Sequence, residues 1–589
     1  MQKISISKLG KVGLVIDGDH TLKPPNAFTD CLNVKFNGRE ISPYLGNQPE
    51  QFFTQNMASD DQGGIAPWDA VKIYLMRAVM FDAFSSNAEM LFCIGKWNPD
   101  DSGDVSVITG VNLSQGIPTV MEVAATAWVP DITKPWSYYK EAINNCVIFG
   151  QAGQIPIGKA YNWVGFDVLP SWGEQTTGND GTTSTIVTRR WECKKVISFD
   201  NRLLALNTTE ESAGGVDVPY PSRVRWSGFA QENAFPINWD DTAANRTPED
   251  YAAAVIDGFA GWQDLSSNAP LVDAVANGNT LYVYTERETY SMTPSGNDQK
   301  PFITNMVHSD LGVLDIDCVV NARGYNYVFT GSDVVRHDSV SWVSIADDYV
   351  RDYLANLVQE HRQGMVRMTT YPDLGEIWVM IYGTDQDDGD YAKTTVLTYS
   401  LNRNTWAKKS LPHIFDTEFL PMPPESVGIV WDVDTEAWDN KTQPWDNSVD
   451  KVAQGQLCGS CAQGGVYYLN ASQSEWRSIY SGGTWTMQQQ AVQRYVERRG
   501  LMLGDGDQRA MISSMYIQGN GTGSLTVTVG SADSYVSGYK WETQTIDMTS
   551  IRRPTFRQDG ELFGYRLEMS GDGQLPSSII IGYQMTGYK

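Results

Sequence analysis

The 589-residue chain is poor in histidine, in positive charge and in long apolar runs. Its five histidines are His20, His308, His337, His361 and His413, and no GxSxG run accompanies them, so a nucleophile elbow is excluded. Lys and Arg number 44 against 70 Asp and Glu, for a net charge of −26. A surface that grips nucleic acid must be basic, so gripping phosphate is not the chain's main task. No apolar run is long enough for a membrane-spanning helix. Met1 to Gly10 carries lysines but no apolar segment ahead of a cleavage site, so no secretory signal is expected. The seven cysteines, Cys31, Cys93, Cys146, Cys193, Cys318, Cys458 and Cys461, are odd in number and widely spaced. They read as reduced thiols of a protein folded in a cytoplasm, not as a disulfide framework. Charged residues reach only 19%, too few for a coiled coil, and aromatics at 11% are too many for disorder.

What the sequence has in quantity is short β-branched and aromatic runs bounded by Gly, Asn and Asp. Such runs are strands. The clearest begin at Cys146, Arg202, Leu281, Tyr325, Ile377 and Val466, at intervals of 56, 79, 44, 52 and 89 residues. Four-stranded propeller blades repeat at about 40–50 residues, so three intervals fit and two imply inserted segments. A lone twisted sheet leaves both faces bare, whereas sheets arranged radially cover one another. The expected fold is all-β: an interrupted propeller of about six blades, with inserted loop or β subdomains and a C-terminal β-sandwich-like segment. Its expected parts are an N-terminal arm with entry strands over 1–50, the propeller over 51–485 with insertions at about 51–130 and 408–457, and the C-terminal segment over 486–589. Within the propeller, Ser344 to Arg362 has helical apolar spacing, with Ser344 and Asp347 resembling a capping box. The 408–457 insertion carries Trp431-Asp432, Trp438-Asp439 and Trp445-Asp446, three aromatic anchors of a structured loop.

Several near-motifs are better explained as turns. Gly153 to Ala160 lacks the hydroxyl of a phosphate-binding loop at Ala160, and no helix follows to present a dipole. Asp17-Gly18-Asp19-His20-Thr21 resembles a phosphatase DxDxT run, but no alternating strand–helix pattern surrounds it. Asp385 to Asp390 resembles half a calcium loop whose Gly falls one place early. Ser478 to Trp485 resembles an Asp-box with Tyr480 in place of the Asp. Cys458-Gly-Ser-Cys461 leads into a strand, which leaves the thiols without the helix a redox pair needs. The basic doublets Arg189-Arg190, Lys194-Lys195, Lys408-Lys409, Arg498-Arg499 and Arg552-Arg553 are scattered, as strand flanks or interface caps would be. No catalytic, cofactor-binding or metal-binding residues emerge, and none of these near-motifs calls for a cofactor.

An ordered set of segments remains. Phe199 to Asn207 is followed by Ser222-Arg223-Val224-Arg225-Trp226-Ser227 and Asn238-Trp239, then by Gly278 to Arg287 and Tyr290-Ser291-Met292. Phe329-Thr330-Gly331-Ser332-Asp333 leads into Val335-Arg336-His337-Asp338, and Tyr399 to Trp406, the Trp-Asp insertion and the opening Asn33 to Gly38 complete it. Together these resemble the tail nozzle, or tail tubular, proteins of short-tailed bacteriophages over most of residues 25 to 589. The resemblance implies a structural virion protein and no enzyme. Six copies would form a ring at the tail tip, assembled in the bacterial host cytoplasm. The ring would meet a tail adaptor and portal complex on one side and fibres or spikes on its outside. Genomic DNA would pass only in transit, and the host envelope would be met at ejection. Acidity suits such a wall, since it repels a polymer carrying one negative charge per phosphate. A carbohydrate-active propeller, glycan-binding or depolymerising, is the alternative, because paired carboxylates in an aromatic-rich β protein could serve sugars.

Overall fold

A computed structural model describes residues 2–49, 58–59, 65–66, 72–80, 89–97, 105–112, 117–121, 131, 134–160, 166–172, 174–177, 185–188, 191–211, 215–241, 248–297, 299–360, 366–382, 393–421, 455–461, 466–481, 484–503, 508–521, 523–534, 537–547, 553–570 and 575–588. Among them, seven antiparallel four-stranded sheets are arranged in a ring. Their first strands are Lys72–Met80, Tyr138–Ile143, Trp191–Phe199, Leu271–Asn277, Val319–Ala322, Val366–Tyr371 and Ile414–Pro421, here the inner strands of blades 1 to 7. Each inner strand contacts the next, and Ile414–Pro421 returns to Lys72–Met80, so the ring closes. The propeller therefore has seven blades where about six were expected. The additional sheet, residues 72–121, falls where an insertion was expected.

The blades form where the sequence changes from alternating apolar residues to Asn, Asp and Gly. Asn144-Asn145, Asp200-Asn201 and Arg323-Gly324 each place two successive residues at positive φ. That conformation matches the right-handed twist of the strands they join and makes tight two-residue hairpins. In blades 2, 3 and 5 these turns link the inner strand to the second.

Blade 7 is completed from far away. Its strands Ile414–Pro421, Gly455–Cys461 and Val466–Ser472 receive Gly46–Pro49 as the fourth. The approach to that strand is stitched across blade 6. Asn33 N–H donates to the Lys408 carbonyl at 2.9 Å, and the Tyr44 hydroxyl donates to Glu376 at 2.8 Å. Burial pushes the Lys409 amine, which lies over the rings of Tyr44 and Trp378, down to about 7.

The chain's two ends build a β-sandwich. One sheet orders Gln2–Ser7, Leu575–Tyr588, Gln508–Asn520 and Thr555–Gly560. The other orders Asp30–Leu32, Arg494–Met502, Leu562–Met569, Ser524–Ala532 and Lys540–Asp547. One apolar core runs from this sandwich into blades 4 to 6, joining Val527, Leu567 and Phe28 to Trp406, Val379 and Val328. Phe28 stacks on Phe36 at 5.5 Å and meets Tyr565 edge-on.

Two α-helices are described, α1 at Pro248–Asp257 and α2 at Arg351–Glu360. The helix expected over 344–362 is the shorter α2. Ser344 ends a strand, and its hydroxyl accepts from Asp347 N–H at 3.0 Å while donating to Asp333 at 2.8 Å. The actual cap is Asp17, whose carboxylate accepts the N–H groups of Asp352 and Tyr353 at 2.9 and 3.1 Å. Asp19 accepts from the N–H and hydroxyl of Thr21, so the DxDxT-like run is a capping turn. The Trp-Asp pairs, Asp385 to Asp390, Asp100, Asp101, Asp104, Asp505 and Asp507 lie outside the described residues.

Candidate functional site

The seven inner strands bring charge to the propeller axis. Six of the seven contribute at least one ionisable side chain to it: Arg77, Lys140, Lys195, Asp273, Arg367, and both Asp416 and Glu418 from blade 7. Blade 5 contributes Asp317, just ahead of its strand. These eight side chains form one alternating chain of ion pairs. Arg77 meets Glu418 at 3.7 Å, and Glu418 meets Lys140 at 2.8 Å. Lys140 meets Asp416 at 2.9 Å, and Asp416 meets Arg367 at 3.2 Å. Arg367 continues to Asp317 at 3.6 Å, Asp317 to Lys195 at 3.2 Å, and Lys195 to Asp273.

Every interior member thus lies between two charges of opposite sign, and four cations balance four carboxylates. Backbone groups use the remaining lone pairs. Met76 N–H donates to Asp416 at 2.8 Å, Asp317 N–H donates to Asp273 at 2.8 Å, and Arg367 donates to the Tyr138 carbonyl at 3.2 Å. Opposite charges and backbone bonds together are what allow ions to be buried. Burial works against the charge of Arg367, but Asp317 and Asp416 beside it raise the guanidinium above its ordinary range. Burial likewise opposes charge on Asp317, and Lys195, Arg367 and Lys140 outweigh it and hold the carboxyl low. A cavity of about 220 Å³ adjoins these charges, lined also by Thr369 and Thr370.

The sequence marked none of these residues as a site. Lys195 belongs to a basic doublet, and three of the doublets, Lys194-Lys195, Lys408-Lys409 and Arg498-Arg499, are strand residues facing opposite ways, while Arg189, Arg190 and Arg552 lie outside the described residues. Lys194 pairs with Asp315 at 3.2 Å while Lys195 enters the axis. Lys408 pairs with Asp30 while Lys409 is buried, and Arg498 is buried while Arg499 is exposed. Gly153 to Ala160 forms a blade connection in which Gly153 takes a positive φ and Ile157–Lys159 is a strand. Cys458 and Cys461 lie within one strand. Among the described residues, Cys31, Cys146, Cys193, Cys318 and Cys458 are buried.

A second buried polar group sits between blades 4 and 5. His308 Nε2 and His337 Nδ1 both donate to the Asp338 carbonyl, at 2.9 and 3.0 Å, because a carbonyl can only accept. That leaves His337 Nε2 to accept from the Tyr284 hydroxyl at 2.7 Å. Burial, aided by His308 and opposed by Asp338, pushes the His337 imidazole down to about 4. A depressed histidine favours folding only while the unfolded chain is also neutral. Its contribution should be complete above pH 6.5, fall as pH drops from 6.5 to 4, and total about 3 kcal/mol at about 1.4 kcal/mol per pH unit. Urea midpoints of wild type and His337→Gln measured between pH 7 and 4 check this. The wild type should lose more stability than the variant, and equal losses would assign the acid sensitivity to other groups.

No family model and no curated protein matches the chain. Solved structures do match. YCF48 from Cyanidioschyzon merolae is 8% identical, with 68% of this chain and 98% of that one covered and a TM-score of 0.31. The WD40 domain of SCAP from fission yeast is 11% identical, over 58% and 87%, with a TM-score of 0.22. An exo-β-1,3-galactanase from Phanerochaete chrysosporium, in its complex with galactose, is 8% identical over 91% and 100%, with a TM-score of 0.20. At these scores the matches assign no activity, and the architecture rests on the sheets themselves.

Proposed function

We propose that the chain is a structural component of a short phage tail. Copies assemble into a ring, about six in number, that forms the distal nozzle through which the genome leaves. The ordered segments from Asn33 to Trp406 brought this reading forward, and the axis is the observation that carries it. A glycosidase needs one carboxyl free to give a proton and a second free to attack or to activate water. Here Asp273, Asp317, Asp416 and Glu418 are each held by a lysine or arginine. An axis bound this way suits a scaffold. It also keeps any polymer out of the propeller, so a conduit would run between copies. A global charge of −26 suits the wall of that conduit.

The test is negative-stain imaging of virions labelled with an antibody to this chain, with native mass measurement of the released tails. Label at the tail tip and a ring of about six copies are expected. Absence of label from virions would overturn the reading. Cleavage of host polysaccharide that disappears in Asp416→Asn would replace it with a carbohydrate-active propeller.

A further inference from the structure

The outward face of the second sandwich sheet carries a feature that neither the core nor the axis explains. Trp541 lies on the edge strand Lys540–Asp547 and is 39% exposed. Its indole lies flat across two neighbouring strands. A Cβ on Gly530 would come within 2.5 Å of the ring, and one on Gly564 within 3.0 Å. Gly564 also makes room for Tyr539, where a Cβ would come within 3.2 Å of the phenol ring. The two rings are stacked, with centroids 5.2 Å apart and planes inclined by 22°. Tyr539 is fixed by Gly500 N–H, which donates to its hydroxyl at 2.9 Å. Two glycines on adjacent strands thus form a floor on which an aromatic platform rests, and the Arg499 guanidinium lies 5.8 Å from the Trp541 ring.

From this platform a row of hydroxyls runs along the same face. Gly530 is opposite Trp541, Thr528 opposite Thr543, and Thr526 opposite Thr545. The threonine hydroxyls of each pair are 3.0 and 3.3 Å apart and exposed, and Ser524 meets Ser570 at 3.2 Å beyond them. From Ser524 to Gly530 the strip is about 20 Å long, at about 3.3 Å per residue. A hydroxyl gives and takes hydrogen bonds, so the ladder can meet a ligand rich in the same groups. A protein partner would want an apolar centre around the aromatic anchors. Here the surroundings of Trp541 are Tyr539, two glycines, the Arg499 guanidinium and the threonine ladder, which has Arg566 and Glu568 opposite Thr528 and Thr526 on its other side.

We propose that this strip binds an extended polysaccharide, one sugar ring lying on Trp541 and the following rings running along the Ser/Thr ladder. A pyranose offers a flat C–H face for an indole and hydroxyls at its rim, and this surface presents those two features side by side. The inference stands apart from the tail reading, since a scaffold outside any virion would show it equally.

The full chain should be assayed by calorimetry against hexaoses of glucose, mannose, galactose, N-acetylglucosamine and galacturonic acid. Binding to at least one is expected. Trp541→Ala should weaken it at least tenfold, Trp541→Phe should keep most of it, and Thr543→Val should weaken it severalfold. Thermal melts of the three variants, unchanged from wild type, would separate lost contact from lost folding. Lack of binding to all five probes, or binding indifferent to Trp541→Ala, overturns the proposal. So does a change from oligomer to monomer in Trp541→Ala, which would make the platform a contact between copies.

Discussion

Replacing Arg367 with Met should destabilise the fold by about 3–5 kcal/mol, the usual cost of breaking a buried ion pair on one side. Arg367 is fully enclosed and holds Asp416 and Asp317 together at the axis. Without it, two carboxylates face each other with only Lys140 and Lys195 to share. Asp416→Asn should act in the same direction but less strongly, because an amide keeps the bond from Met76 N–H. Urea midpoints at pH 7 with an unchanged slope would measure both. A loss below about 1 kcal/mol in Arg367→Met would mean that apolar packing between blades, and not the ion chain, holds the ring.

Deleting residues 2–49 should have a still larger effect, because three sheets lose a strand at once. Gln2–Ser7 leaves the first sandwich sheet, Asp30–Leu32 leaves the second, and Gly46–Pro49 leaves blade 7. The apolar core also loses Phe28, Val34, Phe36 and Ile41. We expect a chain that no longer melts cooperatively and is cut by protease in minutes under conditions the full chain survives. Cooperative melting within a few degrees of the full chain would show that the N-terminal strands are accessory.

The blades were legible because each strand announces itself locally. Cys146, Arg202, Leu281, Tyr325 and Ile377 all fall in the second strand of a blade, where β-branched and aromatic residues are bounded by Asn and Gly turns. Inner strands were harder to see. Tyr138-Tyr139-Lys140-Glu141 and Phe415-Asp416-Thr417-Glu418 place charges where a buried strand should be apolar. A sequence does not show that the compensating charge arrives from another blade. The axis was therefore invisible for a physical reason: Lys195 and Asp273 have no local relation, and only closure of the ring makes them partners. The cap of α2 was missed in the same way, since Ser344 stands at the right spacing while Asp17, more than three hundred residues away, performs the task. The swap of strands between the ends was equally hidden, because nothing in Gln2 to Ser7 names Leu575–Tyr588 as its partner.

That pairing sets a schedule for synthesis. Some 570 residues lie between Ser7 and Ser578, which face each other in the first sandwich sheet. At about 5–20 residues per second, the N-terminal strand emerges roughly half a minute to two minutes before its neighbour exists. During that interval its edge is open to any extended segment nearby. The lysines at Lys3, Lys8 and Lys11 give it the charge that natural edges use to discourage wrong partners. The sandwich is then the last part of the molecule to form, and its closure certifies that the propeller between its strands is complete.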